Sequence, residues 1–245
     1  MDLELTTTSV VVVGAAAILI GLSKGGLGGG LGPFVTILLV VVVPASQAIG
    51  VLLPLLMAGD LAAIWVHRRD WDRATIVRML PGAVVGVAVA SAFLGATSDR
   101  GIEIFLAVFS LAFVAHRLIE PHLRESRLTA GRGLAVVAGT TSGITSTVAH
   151  AGGPPVAVYL LAAGVTPVAY VATTAIFFFV VNWLKVPGYV AAGLLDLSTL
   201  RVLPFALLIW PGVVTGRWLV DRISRQVFER IVLALLVVGA IYLLV

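Results

Sequence analysis

Lys24 carries the clearest chemical meaning of any residue in this chain. It follows a long apolar run and stands inside a glycine-rich break, Gly21-Leu22-Ser23-Lys24-Gly25-Gly26-Leu27-Gly28-Gly29-Gly30-Leu31-Gly32-Pro33. A second break reads Ser142-Gly143-Ile144-Thr145-Ser146-Thr147-Val148-Ala149-His150-Ala151-Gly152-Gly153-Pro154-Pro155. Both breaks interrupt apolar sequence. An ionisable side chain at membrane depth is costly and marks a functional position by default. Irregular backbone is tolerated there only where protein or a polar cavity surrounds it. Paired interruptions in two halves point to a binding site near the membrane midplane.

The chemistry these residues suit is anion binding. Gly32-Pro33 and Gly153-Pro154 each open a short apolar segment, and proline fits the first turn of a helix. A helix N-terminus offers free N–H donors and partial positive charge, and glycine lets a ligand approach the backbone closely. Two such ends facing each other repel unless something negative lies between them. The candidate contacts are Lys24, the hydroxyls of Ser23, Thr145, Ser146 and Thr147, the backbone at Gly28, Gly29, Gly30, Gly152 and Gly153, and Asn182. The counterpart of Lys24 in the second break is Thr147, so charge comes from one half only.

Each assignment has a structural rival. Ser and Thr hydroxyls commonly bond their own helix backbone. Lys24 can pair with a carbonyl or with Asp60. His150 can donate to an anion, carry a proton or serve as a satisfied structural histidine. Asp60, the only acid clearly within a span, is a second candidate proton carrier. Its blander expected partner is the nearby His67-Arg68-Arg69 cluster. Asn182 is expected to face the bundle interior, and Lys185 to snorkel outward. Trp65, Trp71 and Trp183 are expected at the interface or in packing.

Composition fixes the setting. The 245 residues are 60% hydrophobic and 11% charged, with a mean hydropathy of +1.11, whereas soluble domains carry about 25% charged residues. This is an integral membrane protein. The net charge of +4 does not mean nucleic acid, because the basic residues sit in short loops between apolar stretches. The absence of cysteine excludes disulfides and thiolate metal sites, and the sequence calls for no cofactor. The acidic start, Met1-Asp2-Leu3-Glu4, argues against a cleaved signal peptide. The expected partners are a small anion and the lipid bilayer.

Ten apolar segments follow, at approximately 8–22, 33–43, 46–66, 74–96, 101–119, 132–149, 154–164, 167–189, 199–219 and 227–245. The first, second and seventh look too short to cross a hydrocarbon core of about 30 Å, so each flanking pair is expected to form half-helices. The halves repeat: Pro44 and Pro167, Pro81 and Pro204, and Ser23 and Ser146 are each 123 apart, and Asp72 and Asp196 are 124 apart. A constant offset is a repeat signature. It divides the chain into a first repeat at 1–120, a cytoplasmic linker at 121–131 and a second repeat at 132–245.

Loop charge then chooses between parallel and inverted repeats. Inverted repeats put 12 basic residues inside (Arg68, Arg69, Arg73, Arg78, Arg117, Arg124, Arg127, Arg132, Arg217, Arg222, Arg225 and Arg230) and three outside (Arg100, Lys185 and Arg201). Parallel repeats give a split of 10 to 5. The positive-inside rule favours inversion. The expected fold is an all-α polytopic helical bundle of two inverted repeats with broken or re-entrant half-helices, both termini outside the cell membrane.

The run Ser23-Lys24-Gly25-Gly26-Leu27-Gly28-Gly29-Gly30 with Pro33, its second copy ending Ala151-Gly152-Gly153-Pro154-Pro155, and the later Pro44 and Pro167 resemble the TauE/SafE family of sulfite and organosulfonate exporters. The resemblance covers nearly the whole chain and implies a permease for small sulfur-containing anions, usually outward. His150 stands where the first copy has glycine, which leaves the substrate open. A passive anion channel and a carrier of small carboxylates are the nearer alternatives. An intramembrane enzyme built on Ser146 and His150, four residues apart, lacks a Gly-x-Ser-x-Gly elbow and the charges for metal chemistry.

Overall fold

In a computed structural model of the chain, the residues described are 6–25, 31–67, 71–123, 130–220 and 225–245. Among them the regular structure is entirely helical. Ten α-helices follow in order: α1 (Thr7–Gly25), α2 (Gly32–Val40), α3 (Ala45–His67), α4 (Arg73–Ala96), α5 (Asp99–Leu123), α6 (Arg132–Ala149), α7 (Gly153–Ala162), α8 (Pro167–Ala191), α9 (Ile209–Val220) and α10 (Arg225–Leu244). A 3₁₀ stretch, Thr199–Leu208, leads into α9. Six helical stretches are long and apolar enough to cross a membrane.

Two expectations need correction. α1 runs to Gly25 over 19 residues and is one of those six stretches. At 1.5 Å per residue it reaches about 28 Å, so it is not a half-helix by length. Lys24 therefore lies in its last turn and not in irregular backbone. The ninth segment is also not one continuous α-helix. Its first part winds as 3₁₀ around Pro204, whose missing N–H cannot serve the helical ladder. α2 and α7, with 9 and 10 residues, remain as short as expected.

Local chemistry starts these helices where the sequence says they should start. Asp72 caps α4, its carboxylate accepting from the Ala74 and Thr75 N–H groups at 2.9 and 3.2 Å. Its repeat counterpart Asp196 likewise accepts from the Thr199 N–H at 2.9 Å, ahead of the 3₁₀ stretch. Asp72 is the N-cap of α4, whereas Ser198 holds that position in the 3₁₀ stretch and Asp196, two residues earlier, binds its first N–H. Thr166 caps α8 by accepting from the Ala169 N–H, with Pro167 following in the first turn.

Small residues decide the packing. α1 lies along α9, and α4 along α6. Gly21 and Gly25 face Gly212 and Val213 of α9, while Gly212 and Gly216 face Ile18, Gly21 and Leu22 of α1. Gly82 and Gly86 meet Thr140 of α6, and Gly139 and Gly143 meet Met79 and Ala83 of α4. A Cβ at Gly143 or at Gly216 would come within 2.6 Å of the opposing Ala83 or Leu22 carbonyl oxygen. Four glycine pairs spaced by four residues bring backbones together, as packing in lipid favours. α4 shows the reverse side of this rule. Gly82, Ala83, Gly86 and Ala90 are buried, while Val77, Val84, Val85 and Val89 are exposed.

α3 and α8 pack against each other and run antiparallel. Gly50, near the start of α3, meets the Leu194 carbonyl just past the end of α8, whereas Asp60 further along α3 bonds Asn182 in mid-α8. α5 and α10 behave the same way. Arg100 in the first turn of α5 donates to the Leu243 and Leu244 carbonyls at the end of α10, at 2.6 and 2.9 Å.

Candidate functional site

Four polar side chains converge where α1, α3 and α8 meet. The Lys24 ammonium pairs with Asp60 Oδ1. Asn182 Nδ2 donates to Asp60 Oδ2 at 2.6 Å. Lys185 Nζ donates to Asn182 Oδ1 at 2.9 Å. Asp60 and Lys185 are fully buried, and the Lys24 side chain is 17% exposed. Gly59 lies beside the Lys24 stem and Ile20, where a Cβ would come within 3.2 Å of Ile20 Cγ2. The Lys24 ammonium also sits 6.0 Å from the Phe178 ring centroid, within cation–π range.

The polar column continues along one face of α8. Asn182, Lys185 and Tyr189 are spaced by three and four residues, so they line one helical stripe. Tyr189 donates from its hydroxyl to the Thr147 carbonyl at 2.5 Å, and its ring lies edge-on to His150 with centroids 6.5 Å apart. α8 therefore joins the Lys24–Asp60 pair to the second break.

That break is tightly built. α6 ends at His150, whose φ of 50° makes it the only described non-glycine residue with positive φ. Histidine is among the residues enriched in this uncommon conformation. Its Nε2–H donates to the Ile49 carbonyl at 3.0 Å, which leaves Nδ1 buried and without a hydrogen-bond partner among the described residues. Ser142 donates to the Gly152 carbonyl at 2.9 Å. A Cβ at Gly152 would press on Phe178, Ser142 and Ser146 at 2.6 to 2.8 Å. The two breaks also touch, since Gly32 packs directly on the His150 carbonyl. Thr36 reaches across to the Ala149 carbonyl at 3.3 Å.

The sequence-chosen residues are sorted by this geometry. Lys24, Asp60 and Asn182 come together. Thr145 and Thr147 turn their hydroxyls back on their own helix, to Thr141 and Gly143 at 2.8 and 2.7 Å. Ser23 and Ser146 are buried, and no side-chain hydrogen bond to another described residue engages either one. Gly153 forms the first turn of α7 beside Gly152, and neither α2 nor α7 has a side-chain cap on its N-terminal N–H groups. Pro33, Pro154 and Pro155 supply no N–H of their own, so the free donors there are few. Gly28, Gly29 and Gly30 lie outside the described residues.

Two further corrections concern charge. The two oxygens of Asp60 are taken by Lys24 and Asn182, and Arg68 and Arg69 of the cluster expected to pair with it lie outside the described residues. A fully buried carboxylate is held by partners in the interior. Lys185 does not snorkel, because Asn182 and the α3–α8 contact enclose it. Trp65, Trp71 and Trp183 are all exposed on the protein. Lys185, Tyr189 and Phe178 were missed as site residues. The spacing of Asn182, Lys185 and Tyr189 was the signal available.

Outside the helices, Asp196 is held at about 2 by hydrogen bonds from the Ser198 hydroxyl and the Thr199 N–H. No group of three or more His, Cys, Asp or Glu placed to hold a metal occurs among the described residues.

Long apolar helices around a buried charged centre define a multi-pass membrane protein of the transporter type. The model of the sulfite exporter TauE/SafE family matches residues 13–243, and the chain belongs to that family. No curated protein and no solved structure matches it. Family membership indicates a membrane transporter of sulfur-containing anions and not an enzyme.

Proposed function

We propose that the protein is a carrier that exports small sulfur-containing anions, sulfite or organosulfonates, across the cell membrane. The observation that carries this is the buried centre of Lys24, Asp60, Asn182 and Lys185, joined through α8 to the second break. The anion binds near the midplane with Lys24 as its principal cation, displacing Asp60 from the ammonium. Ser23 and Ser146, one from each half, and the free N–H groups at the starts of α2 and α7 complete its coordination. His150, with a free Nδ1, and Asp60 are the groups able to carry a proton.

The scaffold for this is a pair of inverted repeats, with α2 and α7 as half-helices that end inside the membrane. The contacts exchange between the halves, since α1 packs on α9 as α6 packs on α4, which a two-fold relation of either kind produces. One observation supports inversion: α3 with α8 and α5 with α10 are equivalent helices by the repeat offset, and each pair is antiparallel. Export of an anion from a cell with a negative interior is assisted by about 2.3 kcal/mol per charge per 100 mV, so proton coupling is not required.

Radiolabelled flux in proteoliposomes tests the function. Saturable flux of sulfite or taurine, competed by sulfoacetate and weakly by acetate or phosphate, is expected. Tighter competition by acetate or phosphate than by every sulfur anion overturns the sulfur assignment, and non-saturating flux makes the protein a channel.

A further inference from the structure

Lys185 is the strongest charge in the structure that anion binding through Lys24 leaves unused. Its ammonium is fully buried, and among the described residues Asn182 Oδ1 at 2.9 Å is its one hydrogen-bond acceptor. An ammonium has three donors. The one carboxylate nearby, Asp60, already gives Oδ1 to Lys24 and Oδ2 to Asn182. The groups that face the centre are Lys24 from α1, Asp60 from α3, and Asn182 and Lys185 from α8, with Tyr189 and His150 one turn further along. Tyr189 spends its hydroxyl hydrogen on the Thr147 carbonyl. With both lysines protonated, the enclosed centre has two positive charges and one negative.

A buried charge without a counter-charge is costly, and the remedy that leaves both lysines charged is one negative charge brought in from outside. We infer that Lys185 is a second anion-binding cation, and that the centre is matched to a singly charged tetrahedral sulfur anion of the organosulfonate class. This rests on the anion-carrier function proposed above and deepens it. Asn182 holds Lys185 in place while its amide N–H₂ holds Asp60, so the two cations stand at the two ends of the Asp60–Asn182 pair. An arriving monoanion takes the free ammonium donors of Lys185 and shares Lys24 with Asp60. A dianion would leave the enclosed centre with one excess negative charge.

The test compares methanesulfonate with sulfate, which share a tetrahedral sulfur but carry one and two charges. Binding to the purified full-length protein is measured by titration calorimetry, with thermal unfolding as a check on folding. Wild-type protein is expected to bind methanesulfonate at least tenfold more tightly than sulfate. Lys185→Gln should lose tenfold or more for methanesulfonate, and Lys185→Arg should recover part of it. Asp60→Asn adds one net positive charge and should move the preference toward sulfate. Adding Lys185→Gln to Asp60→Asn should move it back. Folded Lys185→Gln with wild-type methanesulfonate affinity overturns the role of Lys185 and leaves the anion carrier standing. If Lys185→Gln does not fold, a wild-type preference for sulfate overturns it instead. Wild-type protein that binds neither anion, nor sulfite, overturns both.

Discussion

Asp60 and Asn182 stand 122 residues apart and meet at 2.6 Å. Pro44 and Pro167, and Pro81 and Pro204, are 123 apart, so Asp60 touches the residue next to its own counterpart, Trp183. The chemistry there is asymmetric, because one half contributes a carboxylate and the other an amide. Lys24 from the first half and Lys185 from the second then add their charges on the two sides of this pair.

Asp60 is therefore expected to matter for stability as well as transport. Asp60→Ala should destabilise the protein by about 3–5 kcal/mol, the cost of breaking a buried ion pair from one side. Saturating methanesulfonate should restore more stability to this variant than it adds to wild type, since the anion replaces the missing carboxylate. Thermal unfolding in detergent measures both effects. An Asp60→Ala protein as stable as wild type would remove the pair from the account.

Inverted repeats place the α4–α5 and α9–α10 connections on opposite sides of the membrane. Cysteine labelling from outside should reach Thr97→Cys and fail at Ser224→Cys, a position outside the described residues. Labelling of Ser224→Cys from outside would instead require parallel repeats.

Asp196 gives a pH dependence with a definite sign. Its folded value of about 2 lies below the ordinary value of about 3.9. A depressed carboxyl adds stability that is present above the unfolded value and lost as pH falls through the folded one. The wild-type unfolding temperature should therefore fall more steeply than that of Asp196→Asn between about pH 4 and pH 2. Parallel curves would mean that the Ser198 and Thr199 bonds do not hold the carboxylate.

Much of the architecture was legible because apolar length and proline position are one-dimensional signals. The segment read as 132–149 is α6, and the one read from 167 begins at Pro167 of α8. Asp72 and Asp196, matched only by offset, both accept from backbone N–H groups at the start of a helical stretch. What sequence reading missed depends on which helix lies opposite. The glycines at 21 and 25 were read as loosened backbone, yet they continue α1 and seat it on α9. The spacing shared with Gly82 and Gly86, Gly139 and Gly143, and Gly212 and Gly216 could have shown this. Lys185 was assigned to an interface because a lysine near a helix end usually reaches one. Its burial depends on α3. Asp60 was assigned to its neighbours in sequence, with pairing to Lys24 as the rival reading of that lysine; the Lys24 pair is present, and the partner that went unforeseen is Asn182, 122 residues away.

The most direct test of the account is sulfite and taurine binding to protein that lacks Lys24. Lys24→Met combined with Asp60→Asn removes the ion pair from both sides, so no unpaired charge is left at that pair to unfold the site. Charge-assisted contacts contribute roughly 1.5–3 kcal/mol, and 1.4 kcal/mol is about tenfold in affinity. Calorimetry on the folded double variant should show a loss of at least tenfold for the anion that wild type binds. Affinity equal to that of wild type would contradict an anion site built on Lys24.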